Sequence, residues 1–237
     1  IISDIVFRIS DVFRMGWGMC SFQRHITAAL PHNDTFIVMP FRSILQQYWG
    51  YPDFRGIPAD IIRSIAEGRD TLGLMPTGGG KSITFQVPAL AMEGVCIVVT
   101  PLIALMKDQV NAIHQQRGFS KAAYLNSEIS LLDRDRIIEQ CQSGEIDVLY
   151  MAPELLMSYD IRHFIGERRI GLMVIDEAHL ITTWGRDFRV DYWYLGSKIR
   201  KIRKYSEHSF PMIAVTATAV YGGEQNDMVF DTAEESL

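Results

Sequence analysis

The feature that most restricts how this chain can fold is a glycine-rich loop that joins an apolar run to a helical stretch. The apolar run covers residues 71–75, the loop has the sequence PTGGGKS at residues 76–82, and helical periodicity begins at Lys81. Consecutive glycines allow a tight turn whose backbone N–H groups face an anion, and the helix start adds the positive end of its dipole. The segment therefore predicts a phosphate site between a strand and a helix.

The side chains of this loop suit a nucleotide. In loops of the pattern G-x-x-x-x-G-K-[ST], the lysine reaches the β- and γ-phosphates and the hydroxyl residue binds Mg²⁺. Met75 stands where the first glycine of the pattern belongs. An incidental glycine-rich turn is the alternative, but the strand–loop–helix context favours phosphate binding. The predicted nucleotide-binding residues of the loop are Thr77, Gly78, Gly79, Gly80, Lys81 and Ser82, and Ser82 is also a predicted Mg²⁺ ligand.

Short β-rich runs alternate with helical periods from about residue 57 onward. This alternation predicts an α/β fold in which a mostly parallel sheet is flanked by helices. Runs such as residues 95–99 (VCIVV) are apolar throughout, which is typical of buried parallel strands. The predicted strands are residues 71–75, 95–100, 122–125, 147–151, 172–176 and 211–216, and the predicted helices are residues 57–66, 81–92, 103–116, 130–142 and 194–204.

Composition excludes several other classes of protein. The chain has 237 residues, and 48% of them are hydrophobic. No segment approaches the roughly 20 apolar residues that a transmembrane helix needs. The three cysteines are far apart and form no CxxC pair, which argues against a disulfide framework and against a zinc site. Because the formal net charge is −5, any nucleic-acid binding would need a local basic patch.

The first 38 residues differ from the rest of the chain. They contain aromatic residues and methionines without a clear period, and residues 31–34 (PHND) indicate a turn. We therefore expect an N-terminal extension of unknown role at residues 1–38 and one domain at residues 39–237.

An acidic pair follows the apolar run at residues 172–175. Asp176 and Glu177 come directly after this run, at the strand end where open α/β sheets bind ligands. Asp176 suits the Mg²⁺ shell, and Glu177 suits the polarisation of an attacking water. Acidic pairs also cap helices, so the pair has meaning chiefly beside the Lys81 loop. Together the two motifs predict a nucleoside-triphosphate hydrolase.

The order of the motifs resembles the first motor domain of RecQ-family DNA helicases, a RecA-like P-loop domain of helicase superfamily 2. The similarity extends from about residue 48 to residue 219. The D-E-A-H box lies at residues 176–179 and contains the candidate catalytic residues Asp176, Glu177 and His179, which join Lys81. Four further segments resemble motifs of the family. Residues 75–82 resemble motif I, and residues 100–109 (TPLIALMKDQ) resemble motif Ia. Residues 150–154 (YMAPE) resemble the next strand-end motif, and residues 216–219 (TATA) resemble motif III.

The most discriminating part of the resemblance is the string WGRDFR at residues 184–189, followed by Asp191 and Tyr192. In RecQ helicases an aromatic-rich loop of this kind senses single-stranded DNA and couples it to ATP hydrolysis. Aromatic faces stack on bases, and arginine adds phosphate and cation–π contacts. The aromatic residues of the string could instead belong to a helix core. The candidate DNA-binding and coupling residues are Trp184, Arg186, Asp187, Phe188, Arg189, Thr216 and Thr218, the two threonines as a polar link from His179 to motif III.

Residues 49–55 (WGYPDFR) resemble motif 0, the adenine clamp of the same family. The resemblance implies that Tyr51 and Arg55 hold the base. The family has a glutamine that reads the adenine edge where this chain has Pro58. Because proline has neither a side-chain amide nor a backbone N–H, we expect phosphate binding with weakened selectivity for adenine.

The resemblance implies ATP and Mg²⁺ as cofactors. It implies single-stranded DNA and DNA junctions as partners, and no binding to a membrane. It also implies 3′-to-5′ movement, roles in DNA repair and recombination, and a cytoplasmic (bacterial nucleoid) or nuclear location. Only 18 residues follow residue 219, so we expect the second RecA-like domain, the zinc-binding part and the winged-helix part to lie outside this chain. An arginine finger from such a second domain contributes ~10³–10⁵ in turnover. We therefore expect these residues alone to bind nucleotide and to hydrolyse it slowly.

Other functions remain open at this stage. One is a non-catalytic module that binds single-stranded nucleic acid through the aromatic string, which Pro58 favours. Another is an RNA-directed D-E-A-H helicase, and a metabolic P-loop kinase would leave the aromatic string unexplained. The basic run at residues 198–204 (KIRKIRK) is either a solvated helix face or a contact with a DNA backbone.

Overall fold

The computed structural model describes residues 5–8, 35–76, 78–181 and 194–217. Its strands form one seven-stranded sheet. They are β1 (Ile5–Arg8), β2 (Thr71–Leu74), β3 (Val95–Val99), β4 (Ala122–Leu125), β5 (Val148–Met151), β6 (Ile170–Asp176) and β7 (Met212–Thr216). The order across the sheet is β1-β2-β7-β6-β3-β5-β4. Strands β2 to β7 pair in parallel, and β1 pairs antiparallel with β2 at the sheet edge.

Helices cover both faces of the sheet. They are α1 (Thr35–Trp49), α2 (Ile57–Ala66), α3 (Lys81–Ala91), α4 (Ile103–Arg117), α5 (Leu131–Ser143), α6 (Pro153–Ser158), α7 (Ile161–Ile165) and α8 (Leu195–Tyr205), and a 3₁₀ turn spans Ala178–Ile181. Helices α5 to α8 pack on one face and α2 to α4 on the other. None of the helices in the described ranges is long and apolar enough to cross a membrane.

Strand β3 shows why the sheet is central. All five of its residues are buried, and successive side chains point to opposite faces. Val95, Ile97 and Val99 join the core under α5 to α8, whereas Cys96 and Val98 join the core under α2 to α4. Burial raises the pKa of the Cys96 thiol, which therefore stays protonated and packs as a small apolar group.

Helix α1 forms an outer layer over α2 and α3. Its side chains Phe41, Leu45 and Trp49 are buried against Ile62 and Val87. This helix was not predicted from the sequence, because Pro40 lies inside it and its first residues show no clear apolar period. The boundary that we expected at residue 39 falls within α1.

The predicted α/β fold is confirmed. Each predicted strand and helix is present with ends that differ by no more than two residues, as in the strand expected at residues 172–176, which begins at Ile170. Two short helices were not predicted: α6, which begins with Pro153, and α7, which Asp160 caps by accepting a hydrogen bond from the Arg162 N–H. Both are too short to display a helical period.

Candidate active site

The glycine-rich loop lies between the end of β2 and the start of α3. Met75 is buried, and its N–H donates to the Thr216 carbonyl at 2.9 Å, which continues the β2–β7 pairing by one residue. The Gly79 N–H then donates to the Pro76 carbonyl at 2.9 Å and closes a tight turn. A Cβ atom on Gly79 would lie 2.9 Å from that same carbonyl oxygen. Gly80 has φ +87° at the N-cap of α3, a conformation that favours glycine.

Lys81 is the first residue of α3, and its side chain crosses to the end of β6. Its Nζ lies 3.3 Å from Glu177 Oε1, and both side chains are largely buried. The Lys81 carbonyl accepts a hydrogen bond from Thr84 Oγ1 at 2.6 Å, which stabilises the first turn of the helix. The partly buried hydroxyl residue Ser82 follows in the same turn. The structure thus brings the predicted loop lysine and the predicted acidic pair together.

Asp176 is the last residue of β6 and is 3% exposed. Its Oδ1 accepts a hydrogen bond from the Glu177 N–H at 3.0 Å, and its Oδ2 accepts one from Gln109 Nε2 at 3.4 Å. Burial, reinforced by the charge of Glu177, raises the pKa of Asp176 to about 6. A cation beside this carboxylate would favour its ionised form.

The donor atoms at this sheet edge fit Mg²⁺. Asp176 offers a carboxylate and Ser82 a hydroxyl, and Mg²⁺ prefers oxygen ligands of this kind together with substrate phosphates. In the part of the chain that the structure describes, no group of three or more His, Cys, Asp or Glu side chains could hold a metal ion.

Glu177 has φ +52°, in the left-handed region that residues other than glycine rarely adopt. This backbone turns the chain away from β6 and leaves the carboxylate between two partners. Oε1 faces Lys81 Nζ, and Oε2 lies 3.4 Å from His179 Nδ1. Strained backbone of this kind is concentrated at functional sites, where surrounding contacts hold it in place.

His179 connects the acidic pair with β7. Its Nδ1 lies 2.8 Å from Thr216 Oγ1, at the end of β7. Burial lowers the pKa of His179 below its ordinary value, and the neighbouring Glu177 opposes that effect without reversing it. The imidazole is therefore neutral at neutral pH and links the two strand ends by hydrogen bonding. The predicted contact between His179 and Thr216 is present.

Gln109 is a member of this site that the sequence did not assign. It lies in α4, within the string that resembles motif Ia, and its Nε2 contacts Asp176. Its Oε1 is buried and has no hydrogen-bond partner among the described residues. A glutamine in a helix gives no signal of its own. Only the packing of α4 against the sheet reveals that this side chain reaches the carboxylate.

The start of α2, which follows the segment that resembles motif 0, lies next to the glycine-rich loop. Pro58 Cγ lies 3.8 Å from the position that a Cβ on Gly80 would occupy, so the start of α2 borders the loop. Tyr51 and Arg55 precede this helix, and both side chains are exposed. An exposed tyrosine ring and a guanidinium are suitable groups for contacting a nucleotide base.

Several predicted residues lie outside the described ranges. They are Thr77 of the loop, Thr218 of the string that resembles motif III, and the aromatic string with Trp184, Arg186, Asp187, Phe188, Arg189, Asp191 and Tyr192. Their roles stay predictions.

Comparison with known proteins gives matches over most of the chain. The family model described as DEAD/DEAH box helicase matches residues 55–223. A probable ATP-dependent DNA helicase RecS of Bacillus subtilis is 41% identical over 175 residues, which cover 74% of this chain and 34% of that protein. The ATP-dependent DNA helicase RecQ of Haemophilus influenzae is 38% identical over 184 residues, 78% of this chain and 29% of that protein. The chain thus spans about a third of the length of these relatives.

A solved structure of the helicase Lhr from Mycobacterium smegmatis, bound to ssDNA and AMP-PNP, shares the fold. The TM-score is 0.58 at 18% sequence identity, and the match covers 77% of this chain and 25% of that one. At this identity the similarity concerns the fold alone, and it agrees with the mostly parallel sheet flanked by helices.

Proposed function

Because the chain belongs to the DEAD/DEAH box helicase family, we propose that it is the nucleotide-binding part of a RecQ-like 3′-to-5′ DNA helicase. The first RecA-like motor domain would comprise residues 39–237 together with the start of α1 at Thr35 and the edge strand β1, and the other N-terminal residues would have an unknown role. ATP hydrolysis would drive movement along single-stranded DNA and unwinding of duplexes and junctions, together with a second RecA-like domain. The observation that carries the proposal is the convergence of Lys81, Asp176 and Glu177 at one sheet edge, with Lys81 Nζ 3.3 Å from Glu177 Oε1.

The loop and the start of α3 would hold the phosphates of ATP. The backbone N–H groups of Gly78 to Gly80 and the positive end of α3 favour anions. Lys81 would neutralise charge on the β- and γ-phosphates, and a γ-phosphate would compete with Glu177 for its Nζ. Ser82 and Asp176 would hold Mg²⁺, which neutralises charge on the β- and γ-phosphates when bound.

Glu177 would then position and polarise the water that attacks the γ-phosphate. Its carboxylate is held at the strand end by the positive-φ backbone and by the ion pair with Lys81. Once a phosphate draws Lys81 away, Oε1 becomes free to accept a hydrogen bond from water. This exchange of partners makes the base available when nucleotide is in place, and the general-base contribution is typically ~10²–10⁴ in rate.

His179 and Thr216 would couple the nucleotide site to the DNA-binding residues. The 2.8 Å contact between them joins the turn after β6 to the end of β7. The aromatic string at residues 184–189 follows the 3₁₀ turn that contains His179, and Thr218 follows Thr216 by two residues. We assign DNA sensing to Trp184, Arg186, Asp187, Phe188 and Arg189, because this string combines aromatic faces with two arginines that can bind phosphates.

Pro58 favours a second candidate, a non-catalytic module that binds single-stranded nucleic acid. The proline borders the phosphate loop without a hydrogen-bonding side chain. Tyr51 and Arg55 would still contact a base, but the contact would discriminate weakly between adenine and other bases. A module of this kind would bind DNA with an affinity that does not depend on Lys81.

The two candidates differ in ATP turnover. The experiment measures hydrolysis by the 237-residue chain, with and without single-stranded DNA, for the wild type and for Glu177→Gln. We expect slow hydrolysis by the wild type, and in Glu177→Gln a loss of ~10²-fold or more with ATP binding retained. The absence of both binding and hydrolysis in the wild type would support the non-catalytic module. Fast DNA-stimulated turnover would contradict the proposed requirement for a second domain.

A further inference from the structure

Helix α8 carries a concentration of positive charge that the nucleotide site does not use. Five of its eleven residues are lysine or arginine, and none is acidic. The whole chain has a formal net charge of −5, so this helix opposes the overall charge. The five cations are Lys198, Arg200, Lys201, Arg203 and Lys204.

Two of the five cations have internal structural roles. Lys198 Nζ donates to the carbonyl of Tyr159 at 2.8 Å, which ties α8 to the segment between α6 and α7. Arg203 forms a bidentate pair with Asp70, with both N–O distances 2.5 Å, and also donates to the Phe210 carbonyl at 3.0 Å. These contacts hold α8 against the body of the domain.

The other three cations face solvent. Arg200, Lys201 and Lys204 are exposed, and their spacing places them on one side of the helix. Arg200 Nη2 donates to Ser197 Oγ at 3.2 Å, and Lys204 Nζ lies 5.7 Å from the centre of the Tyr205 ring. Among the described residues, none of the three forms an ion pair with a carboxylate.

Exposed tyrosines lie at both ends of this cationic face. Tyr194, just before α8, is 53% exposed, and Tyr205, its last residue, is 70% exposed. Tyrosine rings next to unpaired cations suit a ligand that combines phosphates with aromatic bases, because the rings stack on bases while the cations bind the backbone. An acidic peptide would form ion pairs with the cations, but its recognition would not require the exposed tyrosine rings.

We propose that this face of α8 binds the phosphate backbone of DNA as an accessory contact, separate from the nucleotide site. The contact rests on the proposed function in that DNA is the substrate of the motor. Its end at Tyr205 lies near the start of β2, because Arg203 binds Asp70 directly before that strand. The nucleotide site lies at the carboxyl end of the same strand. The α8 face therefore extends DNA binding away from the edge where ATP acts.

The test compares two triple variants with the same change in net charge. One replaces Arg200, Lys201 and Lys204 by Gln on α8. The control replaces Lys121, Arg162 and Arg169 by Gln; these are also exposed, but each pairs with a carboxylate. Fluorescence anisotropy measures binding of a labelled 20-nucleotide single strand and of a 20-base-pair duplex over a range of salt concentrations. Binding of a fluorescent ATP analogue is measured on the same samples.

If α8 contacts the backbone, the α8 variant loses affinity on the order of 10-fold or more at low salt. The slope of log K against log salt becomes less steep by about 2 for the single strand, since each of the three lost phosphate contacts contributes ~0.7. The two DNA forms show which of them the face prefers, and a loss with either one supports the proposal. Equal DNA affinity and salt slope in the two triple variants would overturn the proposal. It would also be overturned if the α8 variant kept wild-type affinity for DNA but lost binding to an oligo-aspartate peptide.

The nucleotide measurement separates this inference from the proposed function. ATP-analogue binding should be unchanged in both triple variants, because neither alters the phosphate loop. If the wild-type chain binds ATP and DNA but the α8 variant matches the control, the accessory contact fails and the motor assignment stands. If the wild-type chain binds the ATP analogue but neither DNA form, both the DNA-dependent function and the α8 contact are contradicted.

Discussion

Replacement of Asp176 by Asn should stabilise the domain while destroying its chemistry. Asp176 is buried, and its pKa is raised from 3.8 to about 6 by burial and by the charge of Glu177. Asn can keep both hydrogen bonds, since its carbonyl accepts from the Glu177 N–H and its amide donates to the buried Oε1 of Gln109 once that side chain turns over. The substitution therefore removes a costly charge and keeps a hydrogen bond to each of these two neighbours.

The sign and size of the stability difference between the two proteins follow from the pKa of Asp176 in the unfolded and in the folded state. Below pH 3.8 the aspartate is protonated in both states, so it imposes no penalty on folding. As pH rises toward 6, the unfolded chain loses its proton while the folded chain retains it, and wild-type stability falls. A difference of about two pKa units amounts to about 3 kcal/mol at ~1.36 kcal/mol per unit. For a protein of this size, that corresponds to about 6–12 °C in Tm.

The assay is thermal unfolding of wild type and Asp176→Asn from pH 4 to pH 8 without nucleotide or Mg²⁺. The advantage of Asp176→Asn should grow between pH 4 and pH 6 and then level off, and Mg²⁺-dependent ATP hydrolysis should be lost. Asp160→Asn is the control of opposite sign, because the Arg162 backbone N–H lowers the pKa of Asp160 and stabilises its charged form. A lower stability of Asp176→Asn than of wild type at pH 8 would show that the carboxylate is well solvated and imposes no penalty on folding.

Three further substitutions test individual contacts. Gly79→Ala places a Cβ 2.9 Å from the Pro76 carbonyl oxygen, so calorimetry should show a loss of ATP affinity on the order of 10-fold with little change in Tm; unchanged affinity would mean that the turn adapts. Thr216→Val removes the 2.8 Å contact to His179 and keeps the contact between His179 and Glu177, so NMR titration should show a higher His179 pKa than in the wild type. Pro58→Gln should raise the preference for ATP over GTP in competition assays and leave tripolyphosphate binding unchanged; an equal preference would show that this position does not read the base.

The sheet was predictable because buried parallel strands leave a strong pattern. Each strand from β2 to β7 is a short apolar run bounded by polar or turn-forming residues, and β3 is buried on both faces as predicted. Helix α1 was not predictable in the same way, because Pro40 disrupts its local signal and its burial depends on α2 and α3. Strand β1 has four residues and depends on β2 for pairing, which no local pattern reveals.

Local motifs predicted the main chemical groups of the site and the family. The strand–loop–helix context located Lys81, and the strand-end rule located Asp176 and Glu177, which lie beside the lysine as expected. The resemblance to RecQ helicases is confirmed by the relatives named RecS and RecQ. Three features of the site could not be predicted from the sequence: the positive φ of Glu177, the neutral state of His179 and the contact between Gln109 and Asp176. Each depends on burial or on contacts between residues far apart in the chain.

Binding of ATP by the Lys81 loop is the central property of the proposed motor domain. Calorimetric titration of Mg²⁺ and ATP into the wild-type chain and into Lys81→Ala measures this contact alone, without requiring turnover or DNA. We predict binding by the wild type and a loss of about 10-fold to 100-fold in Lys81→Ala, the effect of removing hydrogen bonds from a charged donor. Equal affinity in the two proteins, or no binding by the wild type, would contradict the assignment of a nucleotide-driven motor domain.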